Sequence, residues 1–524
     1  MSKVDKFFTF LEKNEKTVYL FFMLLSLLQF WSSKYVPSLD GPQHLYNANV
    51  LVQLINGSSF FDQFFSVNEV LVGYWSGHFF LTFFKFFLPA WLAEKMFLSL
   101  YLISFVLSFR YLVRSVNQSR TNFVSYLAFL FAFHSYFLLG YYSFSIAAIF
   151  VFLSFGYWIR NQENFTWKNT IVLALLWFAI FLSHGLVFAV FGLSFGVYLL
   201  FFFGRRLSQN KDNRKEVFGN ILKLVVALIP ALFFWYRYIS HVMSINSTVV
   251  APSYSLLDLF EFLARIRQLV GFNHGTEAIG YVPVFLLMVF LIVMVLVKKT
   301  WIDDQNKYIT RGMLFSSLII LAMYFLAPDR LSAGNLTNRF GLFFYLLFVI
   351  WLSMKTWSKS VQIIALIIIL HASIFTRLFH VTVIRDLSKD AESIEELAAF
   401  IPDGSTVDYL QNSSNWLHLH FQLYTACDKE IVHLMNPQCQ GQFPVVWDFE
   451  NMPKVIGERQ AQPFGVDISM ITNPEVRTLD YVTVFHYPSF LNDSIKSKEM
   501  YKSLEGFDLD HLSSNGKVAL FKRR

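Results

Sequence analysis

Apolar stretches of about 20 residues recur along this chain, from a first run beginning at Thr17 to a last one ending near Leu378. An α-helix needs that length to cross the hydrocarbon core of a bilayer, whereas a barrel strand would alternate over about 10 residues. The composition points the same way. Hydrophobic residues make up 55% of the 524, charged residues only 15%, and Phe alone occurs 62 times. An average soluble domain carries roughly 25% charged residues. A soluble enzyme and a disordered chain are both excluded, and an all-α polytopic membrane protein is predicted.

The net charge of +7 divides into −7 from His380 onward and +14 before it. The basic excess sits in short loops: RYLVR, WIRN, GRRLSQNKDNRK, VKKTWIDDQNK and MKTWSK. Cytoplasmic loops collect Lys and Arg in this way, so nucleic-acid binding is not indicated. With Met1–Lys16 inside, spans are expected at about 17–33, 95–112, 121–139, 141–159, 169–184, 186–203, 217–238, 279–297, 312–327, 340–354 and 360–378. That is about 11 spans, and it places the C-terminal segment outside. Two domains follow: a membrane domain over 1–379, with interfacial helices in a first outer loop at 34–94, and a small exoplasmic α/β domain over 380–524. In the latter, STVDYLQ, KEIVHLM, DYVTVFHY and KVALFKR read as strands between helix-like stretches. Both cysteines, Cys427 and Cys439, fall in this exported part, which favours a disulfide over two buried thiols. His418, His420 and His433 fit no zinc spacing and read as ordinary residues.

Charged residues at the outer membrane face are expensive and are therefore candidates for function. Asp40 follows the first span directly and stands one turn before His44, in SLDGPQHLYNA. It reads either as a catalytic carboxylate or as one that compensates a helix dipole. The segment GYWSGHFFLTFFKFFLP reads as a half-buried interfacial helix and carries Tyr74, Trp75, His78 and Lys85. The later outer loop APDRLSAGNLTNRFG offers Arg330 and Arg339, either to hold phosphate or to snorkel to the interface. His134 and His184 end apolar runs, and Asp258 and Glu261 lie on an amphipathic stretch. All four are weaker candidates, open to structural roles.

An outer-loop acid after an inside-to-outside helix, then an H-x-Y-x-A-x-x-L helix, interfacial helices, a late outer Arg and an exported C-terminal domain together resemble the GT-C superfamily. Its members are membrane glycosyltransferases with polyprenyl-phosphate-linked donors, among them protein mannosyltransferases and aminoarabinose transferases. The resemblance implies an inverting transfer onto a glycan, lipid or protein acceptor at the outer face, in the plasma (inner) membrane if the source is bacterial. Asp40 would be the base, with His44 beside it. Arg339, Lys85 and, less strongly, Arg330 would hold the donor phosphate near Tyr74, Trp75 and His78. Many members have further acids in these early outer loops. Here Gly41 follows Asp40, and no Asp or Glu occurs between Glu94 and Glu163. A divalent metal held by two such carboxylates is therefore not supported. Two other readings stay open. One is a transporter, flippase or scaffold subunit of envelope-glycan assembly. The other is a glycan polymerase or ligase with its chemistry in 239–278.

Overall fold

The structure is a computed structural model that describes residues 3–117, 122–209, 214–244, 254–298, 307–327, 336–448 and 479–524. The chain forms two compact units. One comprises Met1–Gln29, Leu100–Leu138 and Tyr142–Val381, and the other Phe30–Ser99, Leu139–Tyr141 and Thr382–Arg524.

The first unit is helical. Among the described residues of the whole chain, eight helices are long and apolar enough to cross a membrane: Ala90–Val116, Tyr142–Asn161, Gly185–Gln209, Arg214–Ser244, His274–Val297, Lys307–Leu326, Leu336–Ser353 and Lys359–Phe400. The protein is an integral, multi-pass membrane protein. Its first expected span, at about 17–33, falls on the helix Lys3–Trp31, which ends two residues earlier and is not among the eight. The expected span at 169–184 is the 17-residue helix Trp167–Ser183, started by Thr166, whose hydroxyl accepts from Asn169 N. The span expected at 121–139 is not one helix. A 3-10 turn at Phe123–Leu127 leads into two four-residue helices, Ala128–Phe131 and Ser135–Leu138. Every side chain from Asn122 to Leu138 is buried. Irregular backbone is tolerated at membrane depth only where protein covers it, and hydropathy alone does not reveal that cover.

Burial separates lipid-facing from central helices. Arg214–Ser244 turns Phe218, Val225, Ile229 and Phe233 outward, a face that suits lipid and would aggregate in water. Leu336–Ser353 is buried almost throughout. The abundant Phe residues fill the interior in edge-on clusters, such as Phe155 with Phe191 and Phe195, and Trp158 with Phe165 and Phe202. Ion pairs join the basic loops. Glu15 binds Arg110 and, at 3.1 Å, Arg114, while Lys359 meets Asp5 at 2.9 Å. The segments that carry Arg110, Arg114 and Lys359 are thus both tied to the N-terminal helix.

The second unit is built on a five-stranded sheet and a two-stranded one. In chain order the strands are β1 (Phe65–Val67), β2 (Thr406–Gln411), β3 (Val432–His433), β4 (Val445–Trp447), β5 (Tyr481–Phe485), β6 (Phe507–Leu512) and β7 (Val518–Arg523), of which β1 and β4 form the two-stranded sheet and the rest the larger one. The sheet order is β3-β2-β5-β7-β6, with β2 parallel to β3 and β5 and the remaining pairs antiparallel. β5 is buried along its whole length, as a central strand with two covered faces requires. The four predicted runs supply β2, β3, β5 and β7. The edge strand β6 escaped notice because FDLDHL mixes acids into a short run, a pattern that also guards an edge against stray pairing.

The domain boundary differs from the expectation. Residues 34–94 belong with the C-terminal segment rather than with the membrane helices. β1 pairs antiparallel with β4, Phe65 opposite Trp447, with the two rings stacked at 4.3 Å. The helix Trp75–Lys85 has 11 residues and exposes Phe79 and Phe83 on one side. At 1.5 Å per residue it spans roughly half of a 30 Å core, as an interfacial helix should.

Candidate functional site

Asp40 occupies the N-cap position of the helix Gly41–Ile55, with Pro42 in its first turn. The turn is locked from outside. Asp40 N donates to Leu139 O at 3.0 Å, and Gly41 N donates to Ser38 Oγ at 3.1 Å. Gly140 passes so close that a Cβ there would lie 2.6 Å from Gly41 N, and its φ of +88° also favours glycine. The Asp40 side chain makes no capping hydrogen bond and is 21% exposed. Its position at the helix start also suits the dipole-compensating role that the sequence leaves open.

His44, one turn on, is buried and faces His78, with Nδ1 and Nε2 3.4 Å apart. His78 Nδ1 lies 3.0 Å from Tyr74 O and donates to it. Nε2 of a neutral His78 is then an acceptor and faces His44 Nδ1. Burial pushes both pKa values down, that of His44 well below 6.5 with His78 adding to the effect, and that of His78 to about 4. Phe443 lies edge-on to the His78 imidazole, tilted to that of His44, and stacks on Tyr74 at 4.5 Å. Trp75 starts the interfacial helix, and its indole Nε1 is buried without a hydrogen-bond partner. Tyr74, His78 and His44 thus lie together.

The neighbour that meets the Asp40 carboxylate comes from elsewhere. His420 Nε2 lies 3.7 Å from Asp40 Oδ1. Sequence reasoning passed over His420 as an ordinary residue, and no local pattern links it to Asp40. Lys85 also differs from expectation. Its ammonium pairs with Asp428 Oδ1 at 2.8 Å, and the same carboxylate accepts from Ala90 N. A phosphate at Lys85 would compete with a carboxylate already in place. The expected disulfide is not formed, because Cys427 and Cys439 are free and buried and turn to different partners. Cys427 Sγ donates to Leu423 O at 3.2 Å, and Cys439 Sγ to Asn47 Oδ1 at 3.4 Å.

In the helical unit, Arg339 is buried and its Nη1 donates to His184 Nε2 at 3.3 Å. The guanidinium lies over the rings of Tyr136 and Phe144, at 5.4 and 5.5 Å. It does not snorkel to an interface. His134 is fully buried and accepts from Phe137 N through Nδ1, a turn-closing role. Arg330 lies outside the described residues. Asp258 forms a capping box with Ser255, and those hydrogen bonds lower its pKa. Glu261 pairs with Arg265 one turn on. Both are exposed and local, with nothing to suggest catalysis. The same segment holds a carboxylate that sequence reading missed. Glu277 is fully buried, accepts from the backbone N of Gly271, Phe272 and Asn273, and meets His380 Nε2 at 2.5 Å. Among the described residues, no group of three or more His, Cys, Asp or Glu is arranged to hold a metal ion.

No family model matches the chain, and no curated protein matches it in sequence. Solved structures do match. The crystal structure of apo ArnT from Cupriavidus metallidurans aligns over 97% of this chain and 98% of its own, with a TM-score of 0.57 and 10% identity. ArnT from the same organism bound to undecaprenyl phosphate aligns over 96% and 97%, with a TM-score of 0.55 and 9% identity. ArnT is an aminoarabinose transferase of the GT-C family. With both units included in the alignment, this chain has the fold of ArnT.

Proposed function

We propose that the protein is an inverting membrane glycosyltransferase that moves a sugar from a polyprenyl-phosphate donor to an acceptor hydroxyl. The observation that carries this reading is Asp40. It is a partly exposed carboxylate, locked at a helix start and not spent on capping, in a chain with the fold of an enzyme captured with undecaprenyl phosphate. Asp40 takes the acceptor proton as general base. The acceptor oxygen bonds to the anomeric carbon while the bond from that carbon to the phosphate oxygen breaks. The electron pair leaves with the phosphate, and one displacement inverts the centre. Cations stabilise that leaving group. Arg339 is the first candidate, and Lys85 the second if Asp428 releases it. The acceptor is a glycan, lipid or protein at the outer face, with the N-terminus cytoplasmic and the C-terminal segment outside. No step is assigned to a metal.

The test is Asp40→Asn, which keeps size and polarity but cannot take a proton. The variant is expected to insert and fold normally and to lose roughly 10²–10⁴-fold in transfer from a lipid-linked donor. Transfer at the wild-type rate would remove Asp40 as base.

A further inference from the structure

We propose that His420, supplied by the C-terminal segment, is a positioning residue for the Asp40 carboxylate. This rests on the glycosyl-transfer reading of Asp40 and adds to it that the C-terminal segment helps to build the catalytic geometry. His420 Nε2 faces Asp40 Oδ1 at 3.7 Å, with the imidazole more than nine-tenths buried. Its other ring nitrogen, Nδ1, is buried without a hydrogen-bond partner. A nitrogen that faces a carboxylate has to carry the hydrogen, so Nε2 is the donor and Nδ1 the bare acceptor.

The backbone on both sides of this contact is fixed. Asp40 is tied to Leu139, and the 3-10 segment Trp416–Thr425 that carries His420 is followed by a stretch bound to the helix Gly41–Ile55. Asn49 Nδ2 donates to Ala426 O and Lys429 O at 3.1 and 2.8 Å. Tyr46 OH donates to Ile431 O at 2.8 Å and accepts from His433 N at 3.0 Å. Small side-chain movements then suffice to close the 3.7 Å gap to a hydrogen bond, as catalytic contacts do once substrate binds. Burial holds the His420 pKa near 3, so the ring stays neutral. A neutral donor orients the carboxylate without the full charge of an imidazolium, which would weaken it as a base. With Oδ1 held, the other oxygen takes the acceptor proton.

The experiment compares His420→Phe, which keeps a ring but no donor, with His420→Gln, whose amide places an N–H near the position of Nε2. Full-chain protein in nanodiscs is assayed with a polyprenyl-phosphate sugar. His420→Phe is expected to lower kcat roughly 10–100-fold, the usual cost of losing a group that orients a catalytic ligand. Its donor KM stays nearly unchanged, and the acid limb of its pH profile moves up. His420→Gln restores both. His44 and His78, the other titratable groups near this turn, are held neutral by burial and do not contribute that limb. A wild-type kcat and acid limb in His420→Phe, or equal impairment of a folded Phe and Gln pair, would overturn the proposal. If His420→Phe does not fold, the smaller His420→Leu replaces it. If the wild-type protein transfers no sugar at all, the functional reading falls, and the contact is then read without activity. The infrared carboxyl band that disappears in Asp40→Asn should titrate at higher pH in His420→Phe and not in His420→Gln. An unmoved midpoint rejects the positioning role.

Discussion

Glu277 in the first unit and Asp40 in the second each lie close to a histidine, and their surroundings differ. Glu277 is fully buried and accepts from three backbone N–H groups and His380. Four donors fill the acceptor capacity of a carboxylate. Asp40 is one-fifth exposed, makes no capping bond to its own helix and faces His420 beyond hydrogen-bond range. Glu277 has no lone pair left for a substrate proton. It ties the loop Gly271–Asn273 to the helix that carries His380. Asp40 keeps part of its side chain open, as a base that must receive a substrate requires. A histidine neighbour is thus common to two carboxylates that differ in access, and on the proposed reading it is access that marks the base.

That contrast predicts opposite phenotypes. Asp40→Asn removes transfer by roughly 10²–10⁴-fold and leaves the melting temperature unchanged. Glu277→Ala strands His380 and three backbone donors and costs about 3–5 kcal/mol of stability, seen as lost expression and a lowered melting temperature. Full expression of Glu277→Ala, with activity lost, would reverse the two roles and favour chemistry in 239–278.

Acid should weaken the second unit. Burial lowers the pKa of His44 well below 6.5, of His78 to about 4, and of His420 and His433 to about 3. Below pH 6.5 the unfolded chain binds protons that the folded unit refuses. Each histidine then withdraws up to about 1.4 kcal/mol per pH unit between its unfolded and folded pKa values. Stability is fully present above 6.5 and falls toward pH 4. A melting temperature that is flat from pH 7 to 5 would contradict the buried, neutral state of these rings.

The smallest effect is expected at a third acid. Ser255→Ala breaks the capping box with Asp258 and costs about 1 kcal/mol, with transfer intact. A large loss of transfer would mean that this exposed helix has a role beyond its own end.

The membrane class, the interfacial helix and four of the strands were legible because each is written in a local pattern. Apolar runs show spans, and β-branched runs show strands. The Asp40 turn was legible in the same way, through Asp-Gly-Pro before an amphipathic run. The broken segment Phe123–Leu138 was not, because its cover comes from other parts of the chain. Nor were the partners of Asp40, Lys85 and Cys439, since His420, Asp428 and Asn47 lie hundreds of residues away. The disulfide expectation failed for a related reason. Proximity in sequence and a shared compartment say nothing about where two thiols point.

The pairing of β1 with β4 bears on how the protein is made. Residues 30–99 emerge early in synthesis, yet their strand partner and the carbonyls that bind Tyr46 and Asn49 belong to the last part of the chain. Contacts of such long sequence separation form slowly. Until they form, Tyr46, Asn47, Asn49 and the apolar side of the helix Gly41–Ile55 lack their cover, and exposed surfaces of this kind aggregate. The nascent first segment therefore has to wait through the insertion of nearly every membrane helix. A ribosome-stalled chain ending before residue 426 should leave Asn47 and Asn49 open to protease and chaperone, and release of the full chain should close them.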